Sequence, residues 1–272
     1  MDCLLNKNRR LAVLCHGLEG SSSSKYIIGA SSILTENNWD TAAINYRGCS
    51  GEMNKQLRMY HSGATDDLAA VLSYFEANYD EIALVGFSLG GNLVLKYCGE
   101  KSSSLMNKIR AVIGFSVPTD LQAASVNISR PSNYIYQRKF LVSLFDKLKQ
   151  KHLQYPQHID LALISKIKTV FDFDDFITGP LHGFEDAVDY YTRCSSEQFL
   201  TSITIPTLII NAKDDPFLPD ECYPHELLEG NSLVRFMAPK FGGHVGFVVQ
   251  GEKYYWSEKM ITTFLNEQSE IK

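Results

Sequence analysis

The chain has 272 residues, 44% of them hydrophobic and 21% charged, with a formal net charge of -5. That composition describes a globular α/β-sized domain and excludes a fibrous or disordered chain, while the negative balance leaves no basic face to support binding of nucleic acid. No apolar run approaches the ~18 residues of a membrane span and the first ten residues lack a signal-peptide core, so a cytoplasmic location is expected.

In chain order, residues 11–15 are the first continuous apolar run, and His16-Gly17-Leu18-Glu19-Gly20 follows as a loop. Ser21 to Ser24, the only low-complexity patch, is placed to cap a helix. A second run covers residues 41–46 and leads into a Gly-rich loop holding Cys49. The six cysteines show no Cys-x-x-Cys pair and read as packed thiols, with Cys49 the one candidate for reactivity and turn packing its expected role. Residues 64–79 carry Leu68, Val71, Leu72 and Phe75 at helical spacing. Residues 82–85 form a third run that ends in Gly86-Phe87-Ser88-Leu89-Gly90, and residues 92–98 resume as a helix. Further runs lie at 111–115, 207–210 and 233–237. Continuous apolar strands alternating with amphipathic helices predict a single domain over 1–272, a mostly parallel sheet wrapped by helices.

Between about 118 and 200 the strand signals stop and helix-like segments take over, at 136–151 and 184–195. An insertion there falls near the carboxyl ends of the strands, where ligand sites of α/β sheets form. It reads as a helical cap over a site or as helices that enlarge the core. Phe140, Leu144, Phe171, Phe176 and Tyr190 are its candidate pocket residues.

A Gly-x-Ser-x-Gly pattern arises by chance in roughly one chain in ten of this length. Here it sits between a buried strand and a helix, which is what a nucleophile elbow requires. A serine hydroxyl is a weak nucleophile and needs a base and an orienting acid. His244, bracketed by Gly242, Gly243 and Gly246 after a later strand, is the expected base. Asp215 is the expected acid and Asp214 the alternative, because the turn with Pro216 and Pro219 leaves one carboxylate to cap it. Backbone N–H groups of Leu18 and Leu89 are placed to hold an oxyanion. Arg47 is expected to pair a carboxylate and His61 to bond backbone, while Asp174 and Asp175 read as solvated or helix-capping carboxylates.

These stretches, with Arg47-Gly48-Cys49-Ser50-Gly51, Tyr60-His61-Ser62-Gly63 and Phe173 to Thr178, resemble the YheT-like branch of the α/β-hydrolases, which the mammalian ABHD lipid hydrolases also resemble. The resemblance spans residues 11–250. It implies an α/β-hydrolase fold and a serine esterase or lipase acting on small-molecule or lipid esters, with Ser88, Asp215 and His244 as triad and no cofactor or metal. An acyltransferase using the same residues and a non-catalytic ligand-binding protein are the alternatives. The family carries a further strand pair before its first core strand, whereas this chain reaches that strand by residue 11, so those strands are expected to be missing: either the start is truncated, or one sheet edge is bare and must be covered another way.

Overall fold

The structure, a computed structural model, describes residues 1–270 and the side chains of residues 1–268. Seven strands form one sheet: β1 (Asp2–Leu4), β2 (Arg10–Cys15), β3 (Asp40–Ala43), β4 (Glu81–Phe87), β5 (Ile109–Phe115), β6 (Thr207–Ile210) and β7 (Val234–Met237). Their spatial order is β1-β3-β2-β4-β5-β6-β7. All pairs from β3 to β7 are parallel. The longest strands, β4 and β5, lie at the centre and are buried on both faces, which explains their unbroken apolar sequence.

The edge expected to be bare is occupied. β1 lies antiparallel on β3, with Asp2 opposite Ala43 and Leu4 opposite Thr41. All three of its residues are exposed, so backbone pairing holds it and no apolar run announces it.

Side chains alternate between two cores. Leu11, Val13 and Cys15 face α2 (Thr65–Phe75) and α3 (Leu89–Glu100), which contribute Leu68, Leu72, Phe75, Leu93 and Val94. Ala12 and Leu14 face α1 (Lys25–Glu36) and α9 (Trp256–Glu270), through Ile27, Ala30, Leu34, Ile261 and Phe264. Ser24 stands at the N-terminus of α1, yet its hydroxyl accepts the N–H of Ser21 and caps no helical amide.

Between β5 and β6 stand α4 (Leu121–Ile128), α5 (Tyr134–Gln154), α6 (Val170–Phe173), a π-helical turn (Asp174–Thr178), α7 (Gly179–Leu181) and α8 (Ala187–Cys194). These helices have an apolar centre of their own, built on Leu141, Leu144, Leu148, Ile167, Phe173 and Ile177. Polar anchors join them to the sheet domain. Asn92 of α3, fully buried, donates to the carbonyls of Ser62 and Cys194 and accepts from Ser196 N–H. Lys151 of α5, equally buried, reaches the carbonyls of Asn54 and Gln56 at 2.8 and 2.6 Å. His182 donates from Nδ1 to Thr178 O and accepts the Met59 N–H at Nε2, and His61 packs against its ring at 4.6 Å.

His16, fully buried, and His61, half-buried, tie stability to pH. An ordinary imidazole charges near 6.5, whereas burial pushes His16 down to about 4 and His61 to about 3. Below pH 6.5 the unfolded chain binds protons that the folded chain refuses, so stability falls as pH falls. At about pH 5 each histidine removes on the order of 2 kcal/mol. Asp174 acts in the opposite sense: burial pushes its carboxyl up to about 6, so the folded chain gains its proton first and recovers roughly 1 kcal/mol. The unfolding free energy measured in urea is expected to be lower at about pH 5 than at about pH 7, and His61→Gln to make that dependence shallower. An unchanged slope in the variant contradicts the assignment.

Candidate active site

The junction of β4 and α3 is a crowded turn. A side-chain carbon added at Gly86 would stand 2.2 Å from the Gly90 carbonyl oxygen, and one at Gly90 would stand 2.3 Å from that of Cys15. Only hydrogen fits at either position, so strand and helix backbones approach as closely as they do. Ser88 at the apex has φ 53 and ψ -121, a conformation that costs a non-glycine residue about 1–3 kcal/mol. The Ser88 N–H is tied to Phe115 O at 2.8 Å on β5. Oγ is thereby aimed out of the carboxyl end of the sheet.

There it meets His244. Ser88 Oγ lies 2.9 Å from Nε2, and Nδ1 lies 2.8 Å from Asp215 Oδ2. A carboxylate only accepts hydrogen bonds, so Nδ1 carries the proton and Nε2 is free to accept from Ser88. The other oxygen of Asp215, Oδ1, accepts the Phe217 N–H at 2.9 Å, and the Asp215 side chain is fully buried. Phe217 packs against the imidazole in a tilted contact, with ring centroids 4.5 Å apart. Asp214 has a different task, accepting the Gly243 N–H at 2.8 Å and so holding the loop that carries His244. The same loop is fastened from the sheet by Ser116, whose hydroxyl accepts the Val245 N–H. Ser116 and Val245 both have positive φ, 50 and 56.

The loop after β2 is fixed atom by atom. The Gly17 N–H donates to the Tyr26 hydroxyl, and the Gly17 carbonyl accepts from His16 Nδ1 and the Gly20 N–H. The Glu19 N–H donates to the Tyr60 hydroxyl, which returns its own proton to Glu19 Oε1 at 2.5 Å. The Glu19 carboxylate also takes Lys147 at 2.8 Å and Ser143, both from α5. Glu19 adopts φ 56. Between these anchored residues the N–H of Leu18 has no acceptor among the described residues, and the same holds for Leu89 at the first turn of α3. Sequence reasoning missed the Glu19 latch, since its partners lie 41, 124 and 128 positions away.

Ser88, Leu18, Leu89 and His244 all open into one pocket beneath the cap helices. Its wall is mostly apolar and includes Leu121, Ile128, Val170, Phe173, Ile177 and Leu181. Of the five expected cap residues, Phe140, Leu144 and Tyr190 line it. Phe171 instead packs on Tyr191, and Phe176 points outward, 37% exposed. Asp175 caps, accepting the Ala187 N–H, whereas Asp174 is half-buried, faces the pocket and accepts the Tyr191 hydroxyl. Arg47 pairs with Asp67 and His61 accepts the Gly63 N–H, as expected, but His61 also lines the pocket. Cys49 is 7% exposed, packed under Lys147, and burial pushes its thiol up. No helix among the described residues is long and apolar enough to cross a membrane, and no three His, Cys, Asp or Glu side chains gather there as a metal-holding group.

Comparison with known proteins points the same way as the architecture. A family model described as the alpha/beta hydrolase fold matches residues 12–247. Over 269 residues the chain is 36% identical to YheT of Escherichia coli (strain K12), which bears an esterase name, covering 96% of this chain and 77% of YheT. It is 31% identical over 243 residues to the phospholipase ABHD3 of Mus musculus, covering 88% of this chain and 59% of that one. The human monoacylglycerol lipase ABHD2 is 27% identical over 274 residues, covering 93% and 64%. The chain thus spans less than two thirds of either mammalian relative. Among solved structures, the Pyrococcus furiosus esterase Pf2001 shares the fold with a TM-score of 0.64 at 14% identity, over 98% of this chain and 84% of that one. The chain belongs to the alpha/beta-hydrolase family, in the branch that holds YheT and the ABHD proteins.

Proposed function

We propose that the protein is a serine hydrolase of carboxylic esters whose acyl groups enter the apolar pocket under the cap. The observation that carries this reading is the unbroken chain from Ser88 Oγ to His244 to buried Asp215, at 2.9 and 2.8 Å, opening into that pocket. The esterase, phospholipase and monoacylglycerol lipase names of its relatives support the reaction class.

In the first step the ester carbonyl carbon lies over Ser88. His244 Nε2 takes the hydroxyl proton as Oγ attacks, and Asp215 stabilises the imidazolium and keeps its orientation. Negative charge moves to the carbonyl oxygen, where the N–H groups of Leu18 and Leu89 receive it. His244 then gives its proton to the departing alkoxide, leaving the acyl group on Ser88. Water enters, His244 takes a proton from it, and the reverse sequence frees the acid and restores Ser88. Because Leu18 gains its partner only when the oxyanion forms, Glu19, Tyr60, Ser143 and Lys147 act as positioning residues through the backbone they hold.

Ser88→Ala and His244→Ala are each expected to lower kcat/KM for p-nitrophenyl esters by about four orders of magnitude or more, and Ser88→Ala to abolish labelling by a fluorophosphonate. Full labelling of Ser88→Ala would reject the nucleophile. Adding an alcohol acceptor separates water from alcohol as the second substrate: free acid as the dominant product supports hydrolysis, and a new ester as the dominant product favours acyl transfer. Lys147→Met strands the Glu19 carboxylate, whose side chain is only 5% exposed, so a stability loss of about 3 kcal/mol is expected. The same variant should lower kcat more than it raises KM, since the Leu18 N–H serves the transition state; a change in KM alone would contradict that role.

A further inference from the structure

One part of the pocket is not apolar, and the proposed hydrolysis makes no use of it. Asp174 opens the π-helical turn between α6 and α7, an element that is rare and concentrates at functional sites. Its Oδ2 accepts the Tyr191 hydroxyl at 2.7 Å, and the Thr178 hydroxyl also bonds the carboxylate. No Lys or Arg pairs with it among the described residues, and Phe173, Ile177 and Leu181 share its stretch of wall. Desolvation dominates its surroundings and raises the carboxyl to about 6. Ser125 of α4 lies beside Tyr191, lines the same pocket and is 7% exposed. Among the described residues its hydroxyl makes no hydrogen bond of good geometry, standing close to the Tyr191 hydroxyl.

A half-buried carboxylate with no cation beside it and a buried hydroxyl with no well-aligned partner are both expensive if their only task is packing. The neighbouring Asp175 bonds a backbone amide of the next helix, and Asp174 makes no such bond to secondary structure. A carboxylate offers about four acceptor positions, and two hydroxyls leave some of them open. What those positions lack is a donor, and what Ser125 lacks is a well-aligned partner of either kind. An incoming hydroxyl supplies one donor and two acceptor lone pairs, which matches both. A cation fits less well, because Tyr191 and Thr178 already disperse the charge and the rest of the wall would strip the cation of water without replacing it.

We propose that Ser125, Asp174, Thr178 and Tyr191 form a hydroxyl-recognition subsite, so that the enzyme selects esters carrying a free neutral hydroxyl over plain alkyl esters. The hydroxyl belongs either to the alcohol portion, as in a partial ester of a polyol, or to the acyl chain. This rests on the ester-hydrolase reading above. A site built to bond a hydroxyl discriminates strongly against analogues without one, because its own polar groups are then left unpaired.

The test is internal competition on one preparation between four esters of a medium-length acid: the ethyl ester, the hydroxyethyl ester, a trimethylammonioethyl ester, and the ethyl ester of the terminally hydroxylated acid. Ratios of kcat/KM report only active molecules, so a partly misfolded variant does not distort them. Wild type is expected to prefer one hydroxylated ester over the plain ethyl ester by about tenfold or more, and which one is preferred locates the hydroxyl. Asp174→Asn and Ser125→Ala, the second removing a single oxygen, should each bring that ratio close to one. Equal ratios in wild type and both variants would overturn the subsite, as would a leading preference for the quaternary ammonium ester. Turnover of none of the four by wild type would instead reject the hydrolase reading itself.

Discussion

The contact on which the rest depends is the approach of two backbones at the end of β4. Gly86 meets Gly90, and Gly90 meets the Cys15 carbonyl, at separations that leave no room for a methyl group. This crossing forces Ser88 to φ 53 and sets its Oγ above the sheet. Strain of this size persists only where the surroundings over-determine it. Here β2, β4 and β5 hold it from both sides through Cys15 opposite Gly86 and the bond from Ser88 N–H to Phe115 O. The central strands are therefore more than core: they are the frame that keeps one hydroxyl in an unfavourable place.

Each further group is brought to that hydroxyl by a loop leaving a neighbouring strand. The loop after β2 carries Leu18, the loop after β6 carries Asp215, and the loop after β7 carries His244. Polar side chains rather than packing fix these loops. His16, Tyr26, Tyr60 and Glu19 bind the first, Asp214 and Ser116 the last. The consequence is a site whose amides at Leu18 and Leu89 have no acceptor among the described residues, in the arrangement that electrostatic preorganisation needs. Through Glu19, α5 of the cap also touches this machinery, so the roof of the pocket and the proposed oxyanion site are not independent.

The sheet and the elbow were legible in sequence because both are written locally. Apolar runs at 82–85 and 111–115 mark strands buried on both faces, and the spacing of Gly86, Ser88 and Gly90 marks the turn. His244 could be singled out from its flanking glycines, whereas Asp215 could be preferred to Asp214 only by the turn it shares with Pro216 and Pro219, because neighbours in one turn differ only in direction. β1 left no trace in hydropathy, since its three exposed residues contribute hydrogen bonds alone. The latch on Glu19 joins residues more than a hundred positions apart, and no pattern along the chain encodes it. Asp174 and Asp175 look equivalent in sequence, yet the π turn sends one into the pocket and the other to a helix end. Phe171 and Phe176 failed as pocket residues for the same reason: in short, irregular helices the facing of a side chain follows the local turn and not an extended period.

The central claim is that the acyl group passes through a covalent bond to Ser88. It is tested most directly by quenching the wild-type protein in acid during steady turnover of an ester and mapping its peptides by mass spectrometry. The account predicts one added acyl mass, on the peptide that contains Gly86-Phe87-Ser88-Leu89-Gly90, and its disappearance when the substrate is exhausted. An acyl group on any other residue of a protein that is turning over ester would contradict it.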